Sequence, residues 1–343
     1  MELYDKVYGA LLSAAVGDAM GAATEARTTA QIEKVFGHRV ETFEKPPADA
    51  IGAGNEAGQL TDDFSCAYFL AKHIIDHKGQ ITRAIVEQAI VDWSEHDVFY
   101  TRFVGPSTRR AVARFKGMPY TEATDFVNYP AWATNGSAMR ISPVGLFNPG
   151  NIDQAVEDAV TVTLTTHANH LSVSGACAVA AAVSCALHEN ADLYDVIHAG
   201  LYGAQQGEKI GRKVGTVVPG ASVARRMEEA VRIGNSSLKT EEKVNRIRGC
   251  IGTGLHIAEA VPAAFGLLTT FQADPMATII AGVNIGYDTD TVSTIAGGIC
   301  GALMGSTSIP HGYGEIIDRM NDMDLHMLAA GILETNRLYR NGG

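Results

Sequence analysis

Apolar residues recur along this chain at helical spacing, as in Val7, Leu11 and Ala15 and again in Cys66, Leu70 and Ile74. Positions three or four apart share one helix face, so each run predicts a helix with a buried side. The same spacing predicts helices over 82–94, 105–115, 153–162, 171–187, 193–204, 221–233, 254–269, 275–284, 291–304 and 313–338. Strand-like alternation is scarce, and helices never alternate regularly with strands. The pattern predicts an all-α protein, a single domain over residues 1–343. Three segments interrupt it. Residues 40–60 carry Pro46, Pro47, Gly52, Gly54 and Gly58; residues 117–135 carry Pro119 and Pro130 and few periodic apolar positions. Residues 203–220 place glycines at 203, 207, 211, 215 and 220 around Lys209, Arg212 and Lys213. All three are expected to be loops that cover or bind something, because long loops in a compact domain tend to be functional.

Composition narrows the class. Of 343 residues 46% are hydrophobic and only 19% charged, which excludes a disordered chain. Thirty-six glycines beside 7% aromatics point to closely packed helices and tight turns. The net charge of −11 repels nucleic-acid phosphates and anionic membranes, so neither is an expected partner. Five cysteines without C-x-x-C spacing read as reduced, mostly buried thiols, and Met1-Glu2-Leu3-Tyr4-Asp5 lacks the positive start of a signal peptide. Both point to a cytoplasmic protein. The apolar stretches 171–187 and 292–304 are built largely from Ala, Gly, Ser and Val and read as buried helices, not membrane spans.

The candidate chemistry lies at two acidic helix starts, Thr61-Asp62-Asp63 and Asp288-Thr289-Asp290-Thr291. Either alone reads as a helix cap. Brought together, they would converge four carboxylates and the threonine hydroxyls with no Lys or Arg inside either motif. One carboxylate must then stay protonated or a cation must enter. An oxygen-only set suits Mg²⁺, Mn²⁺ or Ca²⁺ better than Zn²⁺, and its size suits two ions better than one. A third acidic segment runs from Gly17-Asp18 to Glu25. On a continuous helix Asp18 and Glu25 would share a face. Glu25 reads either as a base positioning a water or as a solvated terminal acid.

These segments carry a resemblance to the ADP-ribosylglycohydrolase family. Gly17-Asp18…Glu25 and Leu60-Thr61-Asp62-Asp63 are followed in order by Gly105-Pro106-Ser107-Thr108-Arg109 and Asn135-Gly136-Ser137-Ala138-Met139-Arg140. Then come Thr166-His167, Gly252-Thr253-Gly254…Glu259-Ala260-Val261-Pro262 and Asp288-Thr289-Asp290-Thr291. The resemblance implies an all-α orthogonal bundle with two Mg²⁺ or Mn²⁺ ions, hydrolysing the N- or O-glycosidic bond at C1″ of ADP-ribose. It implies Thr61, Asp62, Asp63, Asp288, Asp290 and Thr291 as metal ligands, and Glu25 beside the attacking water, with Asp62 and Asp290 serving catalysis. Gly105, Ser107, Thr108, Asn135, Gly136 and Ser137 would contact ribose and pyrophosphate, His167 the phosphates, and Gly252 and Gly254 the adenosine side. The implied partner is an ADP-ribosylated or ribosylated small molecule or protein side chain. A non-catalytic ADP-ribose binder or a crystallin-like relative is the alternative.

Arg140 reads either as a charge for the substrate or as a structural ion pair. The chain departs from the family pattern at Phe64 after the two acids, at Thr134 before Asn135 and at Tyr287 before Asp288. Phe64 and Tyr287 are expected to narrow the cleft or to offer a stacking face, which favours a small ribosylated compound. His170, His188, His198 and His256 show no zinc spacing, Lys209, Arg212 and Lys213 read as solvated, and Met320, Met323 and Met327 as core.

Overall fold

The computed structural model describes residues 1–120 and 133–340. Among these residues the architecture is all-α, with two isolated β-bridges, Thr134–His256 and Asn169–Thr216, and no strand. No described helix is long and apolar enough to cross a membrane. Most of the interrupted segment 117–135 lies outside the described residues.

Three helices form the centre. Every residue of His170–Ala186 is buried, as is every residue of Thr289–Met304 except the last, and Leu3–Gly21 is buried from Gly9 to its end. Small side chains make this possible. A Cβ placed on Gly17 would lie 2.4 Å from the Ser293 carbonyl oxygen, and one on Gly301 would lie 2.1 Å from the Gly9 carbonyl oxygen. The first and the Thr289 helices therefore meet backbone to backbone, and the space between them admits no larger residue. Four of the five cysteines are buried and Cys250 is exposed.

The expected loop at 203–220 is mostly helix, because Leu193–Val214 runs unbroken through Gly203, Gly207 and Gly211. Glycines four apart form a stripe on one face. A Cβ on Gly203 would lie 2.3 Å from the Cys177 carbonyl oxygen, and one on Gly207 2.8 Å from that of Val173. The glycines let this helix press against His170–Ala186. Lys209, Arg212 and Lys213 sit on its exposed face. The expected helix 313–338 is divided into Tyr313–Asn321 and Leu325–Thr335, since Asp322 turns left-handed at φ 54° and Asp324 accepts the Met327 N–H to start the next helix. Met327 is exposed, contrary to its expected place in the core. Residues 40–60 are turns and irregular chain, as their prolines and glycines require.

Candidate metal centre and active site

The two acidic motifs are helix starts. Thr61 caps Asp62–Asp76, its hydroxyl accepting the Asp63 N–H at 3.2 Å. Asp288 precedes Thr289–Met304, but its carboxylate makes no cap hydrogen bond. It accepts the side-chain amide of Asn135 instead, so capping does not account for it.

The first helix brings the two starts together. Asp18, fully buried near its end, accepts three hydrogen bonds from the Asp62 helix start: Thr61 N at 3.0 Å, Thr61 Oγ1 at 2.7 Å and Phe64 N at 2.9 Å. Asp18 thereby orients the Thr61 hydroxyl. One turn on, a Cβ on Gly21 would lie 2.3 Å from the Asp290 Cα. The helix ends at Gly21, so Asp18 and Glu25 do not share one continuous helical face. Glu25 comes from the turn beyond, held by its own N–H to the Gly21 carbonyl and by Ala26 N–H to the Tyr287 carbonyl at 2.7 Å. Thr24 and Thr289 fix the same turn, their hydroxyls 2.9 Å apart, with Thr289 Oγ1 donating to the Gly21 carbonyl at 3.0 Å.

One carboxylate oxygen from each of Glu25, Asp288 and Asp290 lies within 4.8 Å of the others. Glu25 therefore belongs spatially with the acids that the sequence separates from it by more than 250 residues. Asp63, Asp288, Asp290 and Thr291 are buried, and Asp62 and Glu25 half-buried. Asp63 Oδ2 and Asp290 Oδ1 are buried without a hydrogen-bond partner among the described residues. Burial first, and then the charge of Asp290, raises the carboxyls of Glu25, Asp62, Asp63 and Asp288 well above the usual range. Asp18 is pushed up to about 7 by the same two causes, against its hydrogen bonds to Thr61 and Phe64. A cation would supply the partner that these oxygens lack.

This has a consequence for stability. Carboxyls raised in the folded chain contribute stability that is full below their unfolded values, near pH 4, and is lost as pH rises through the folded ones. The cation-free protein is expected to lose melting temperature from about pH 5 to above the Asp18 value of about 7. Millimolar Mg²⁺ is expected to restore it. Thermal melts in chelator and in Mg²⁺ across that range check this; a cation-free melting temperature that rises with pH would contradict it.

Around the acids, three segments are stitched by the backbone. Asn135 N donates to the Leu255 carbonyl at 2.9 Å, Ile257 N to that of Ala133 at 2.8 Å, and Asp288 N to that of Thr253 at 3.0 Å. This places Asn135, Gly136 and Ser137 beside the Gly252–Gly254 turn, with the Asn135 amide on Asp288. Gly252 takes φ 89°, a conformation that favours glycine. Gly105 caps the helix Pro106–Phe115, Ser107 is half-buried on it, and the buried Thr108 hydroxyl accepts from Arg140 at 3.5 Å.

Other candidates take different places. Phe64 is 1% exposed in the main hydrophobic core, so its ring is not a wall of the cleft. His167 is buried, its Nδ1 bonded to Thr166 Oγ1 at 2.7 Å and its Nε2 to Thr134 Oγ1 at 3.0 Å. Burial, and secondarily the charge of Arg140, holds this imidazole well below its usual pKa and therefore neutral. Arg140 donates to Thr166, which is consistent with a relay from Arg140 through Thr166 and His167 to Thr134. Both imidazole nitrogens are thus committed within the protein. Arg140 is itself fully buried beside Cys66, and its charge favours the ionised form of Asp62. Asp18 and Thr289 stand in the acidic motifs of the sequence, but their roles in bracing the site, and that of Thr24, depend on contacts between distant segments.

Residues 1–341 match the family model for ADP-ribosylglycohydrolases. The chain is 29% identical over 333 residues to the uncharacterized protein YegU of Escherichia coli (strain K12), covering 96% of each. It is 26% identical over 347 residues to the ADP-ribosylhydrolase ARH3 of Homo sapiens, covering 92% of this chain and 90% of that one. A solved ADP-ribosylglycohydrolase-related protein complex superposes with a TM-score of 0.67 at 21% identity, over 98% of this chain and 99% of that chain, a likeness of fold.

Proposed function

The chain belongs to the ADP-ribosylglycohydrolase family, and from that premise we propose that it is a hydrolase of the N- or O-glycosidic bond at C1″ of an ADP-ribosyl group, dependent on two divalent cations, Mg²⁺ or Mn²⁺. The observation that carries this reading is the buried acidic cluster with unpartnered oxygens on Asp63 and Asp290. Thr61, Asp62, Asp63, Asp288, Asp290 and Thr291 would hold the ions, with Glu25 at their edge. Hard oxygen donors without sulfur or imidazole suit such ions. When bound, the ions would fix and polarise the ribose hydroxyls.

The chain's own groups supply the rest. Glu25, whose carboxyl is raised by burial and by the neighbouring acids, holds a water against the anomeric carbon and accepts its proton. Asn135 fixes the Asp288 carboxylate through its amide. Backbone N–H groups of the Gly105 helix start and of the Asn135–Ser137 turn can hold the pyrophosphate despite the negative overall charge. Half-buried Asp62 and Glu25 leave the cluster open to substrate on one side.

The test is release of free ADP-ribose from ADP-ribosyl-arginine and ADP-ribosyl-serine substrates in Mg²⁺ or Mn²⁺ and in chelator. Release in the metal buffers that stops in chelator is expected. Tight ADP-ribose binding without turnover of any substrate would make the chain a binder instead.

A further inference from the structure

Tyr287 is placed as core burial and turn formation do not require. Its backbone is left-handed at φ 74°, a conformation disfavoured for a bulky side chain, and the residue is 53% exposed. Two backbone hydrogen bonds hold it there: Tyr287 N to the Arg27 carbonyl at 2.8 Å and Ala26 N to the Tyr287 carbonyl at 2.7 Å. The ring lies on Gly254, where an added Cβ would come within 2.3 Å of its Cε1. Glycine at 287 would form this turn with less strain, so the ring itself calls for a reason.

Tyr287 lines a cavity of about 670 Å³, with Arg27, Thr28, Arg248 and Glu259 among its other lining residues. The cavity adjoins the acidic cluster, since Tyr287 precedes Asp288, Ala26 follows Glu25, and the Ala26–Tyr287 bond ties the two segments. The charges lining the cavity balance: Arg27 and Arg248 stand against Glu33 and Glu259. Arg27 is anchored on Asp49 at 2.6 Å, and Glu259 accepts the Gly254 N–H at 3.1 Å. The lining charges favour neither sign, and an exposed aromatic face suits a flat ring.

We propose that this cavity receives the leaving group, in place of the adenosine that the resemblance implies for Gly252 and Gly254, and that Tyr287 selects a neutral heteroaromatic ring linked through nitrogen, by stacking on it. The inference rests on the hydrolase reading above. In the step, the water oxygen bonds to C1″ as the C–N bond breaks. The bonding pair leaves with the ring nitrogen, one water proton ends on that nitrogen, and the other stays in the new hydroxyl.

The test uses the full-length protein with three ADP-ribose conjugates that differ only at C1″: hypoxanthine, a blocked arginine and a blocked serine. Wild type is expected to prefer hypoxanthine over arginine in kcat/KM. Tyr287→Gly is expected to lower kcat/KM on the hypoxanthine conjugate about tenfold more than on the serine one, mainly through KM, while Tyr287→Phe keeps the preference. Calorimetric titration is expected to show hypoxanthine binding to wild type that Tyr287→Gly weakens about tenfold, with ADP-ribose affinity unchanged within about twofold. A wild-type preference for arginine, an equal loss on all three conjugates, or a weakened ADP-ribose affinity, which would put the ring at the nucleobase end, overturns it. If wild type hydrolyses none of the three, the hydrolase reading fails. The hypoxanthine titration then decides the cavity by itself, and absence of binding overturns the proposal.

Discussion

Asp290→Asn is expected to lower ADP-ribosyl hydrolysis on the order of a thousandfold, the scale seen when one preorganised charge-stabilising group is removed. The same change is expected to make the cation-free protein more heat-stable. The charge of Asp290 raises the carboxyls of Glu25, Asp62, Asp63 and Asp288, and one of its own oxygens is buried without a partner. Asparagine keeps the shape and removes the charge, so the repulsion falls while the cation loses a ligand. The melting temperature in chelator should rise by roughly a few degrees, and the gain from added Mg²⁺ should shrink. The opposing signs distinguish a site built for a cation from a structural acid, whose loss would lower activity and stability together. Kinetics in Mg²⁺ and melts in chelator, on wild type and variant, check both.

The second large effect comes from the closest helix contact. Gly21→Ala and Gly9→Ala are each expected to destabilise the protein by about 2–3 kcal/mol, the cost of overpacking a rigid contact, which outweighs the roughly 1 kcal/mol that alanine gains over glycine in a helix. At Gly9 the new Cβ would lie 2.4 Å from the Gly305 carbonyl carbon; at Gly21 it would lie 2.3 Å from the Asp290 Cα. In both cases the obstacle is backbone and cannot rotate away. The two variants should differ in function. Only Gly21→Ala displaces Asp290, so only it should weaken cation binding, measurable as Mn²⁺ affinity at a temperature where both remain folded. Equal Mn²⁺ affinities would detach the helix contact from the site.

The helix periods were legible wherever a helix keeps one face in water, and the two acidic helix starts were legible because each motif is short and local. Other features depend on contacts between distant segments. The glycines at 203, 207 and 211 suggest a loop by composition, yet their spacing of four is the contact stripe of a helix against Cys177 and Val173. Asp18 looks like one more site acid, but all three of its hydrogen bonds go to residues 43 and 46 positions away, which makes it the bracket of the Thr61 turn. Phe64 lies one residue beyond Asp63, about 100° further round the helix, and that rotation carries its ring into the core. Tyr287 has no helix to turn it inward and stays at the surface beside Asp288. Of the two rings that mark this chain's departure from the family pattern, only Tyr287 stands where a substrate could meet it.

The central claim is that the Asp62 and Asp290 helix starts together hold the divalent cations. Titration of the chelator-treated protein with Mn²⁺, followed by electron paramagnetic resonance of the free ion, tests it most directly. Two Mn²⁺ bound per chain, with the stoichiometry or affinity falling sharply in Asp290→Asn and in Asp62→Asn, is the predicted result. Mn²⁺ binding that is absent in wild type, or untouched by both substitutions, would contradict it.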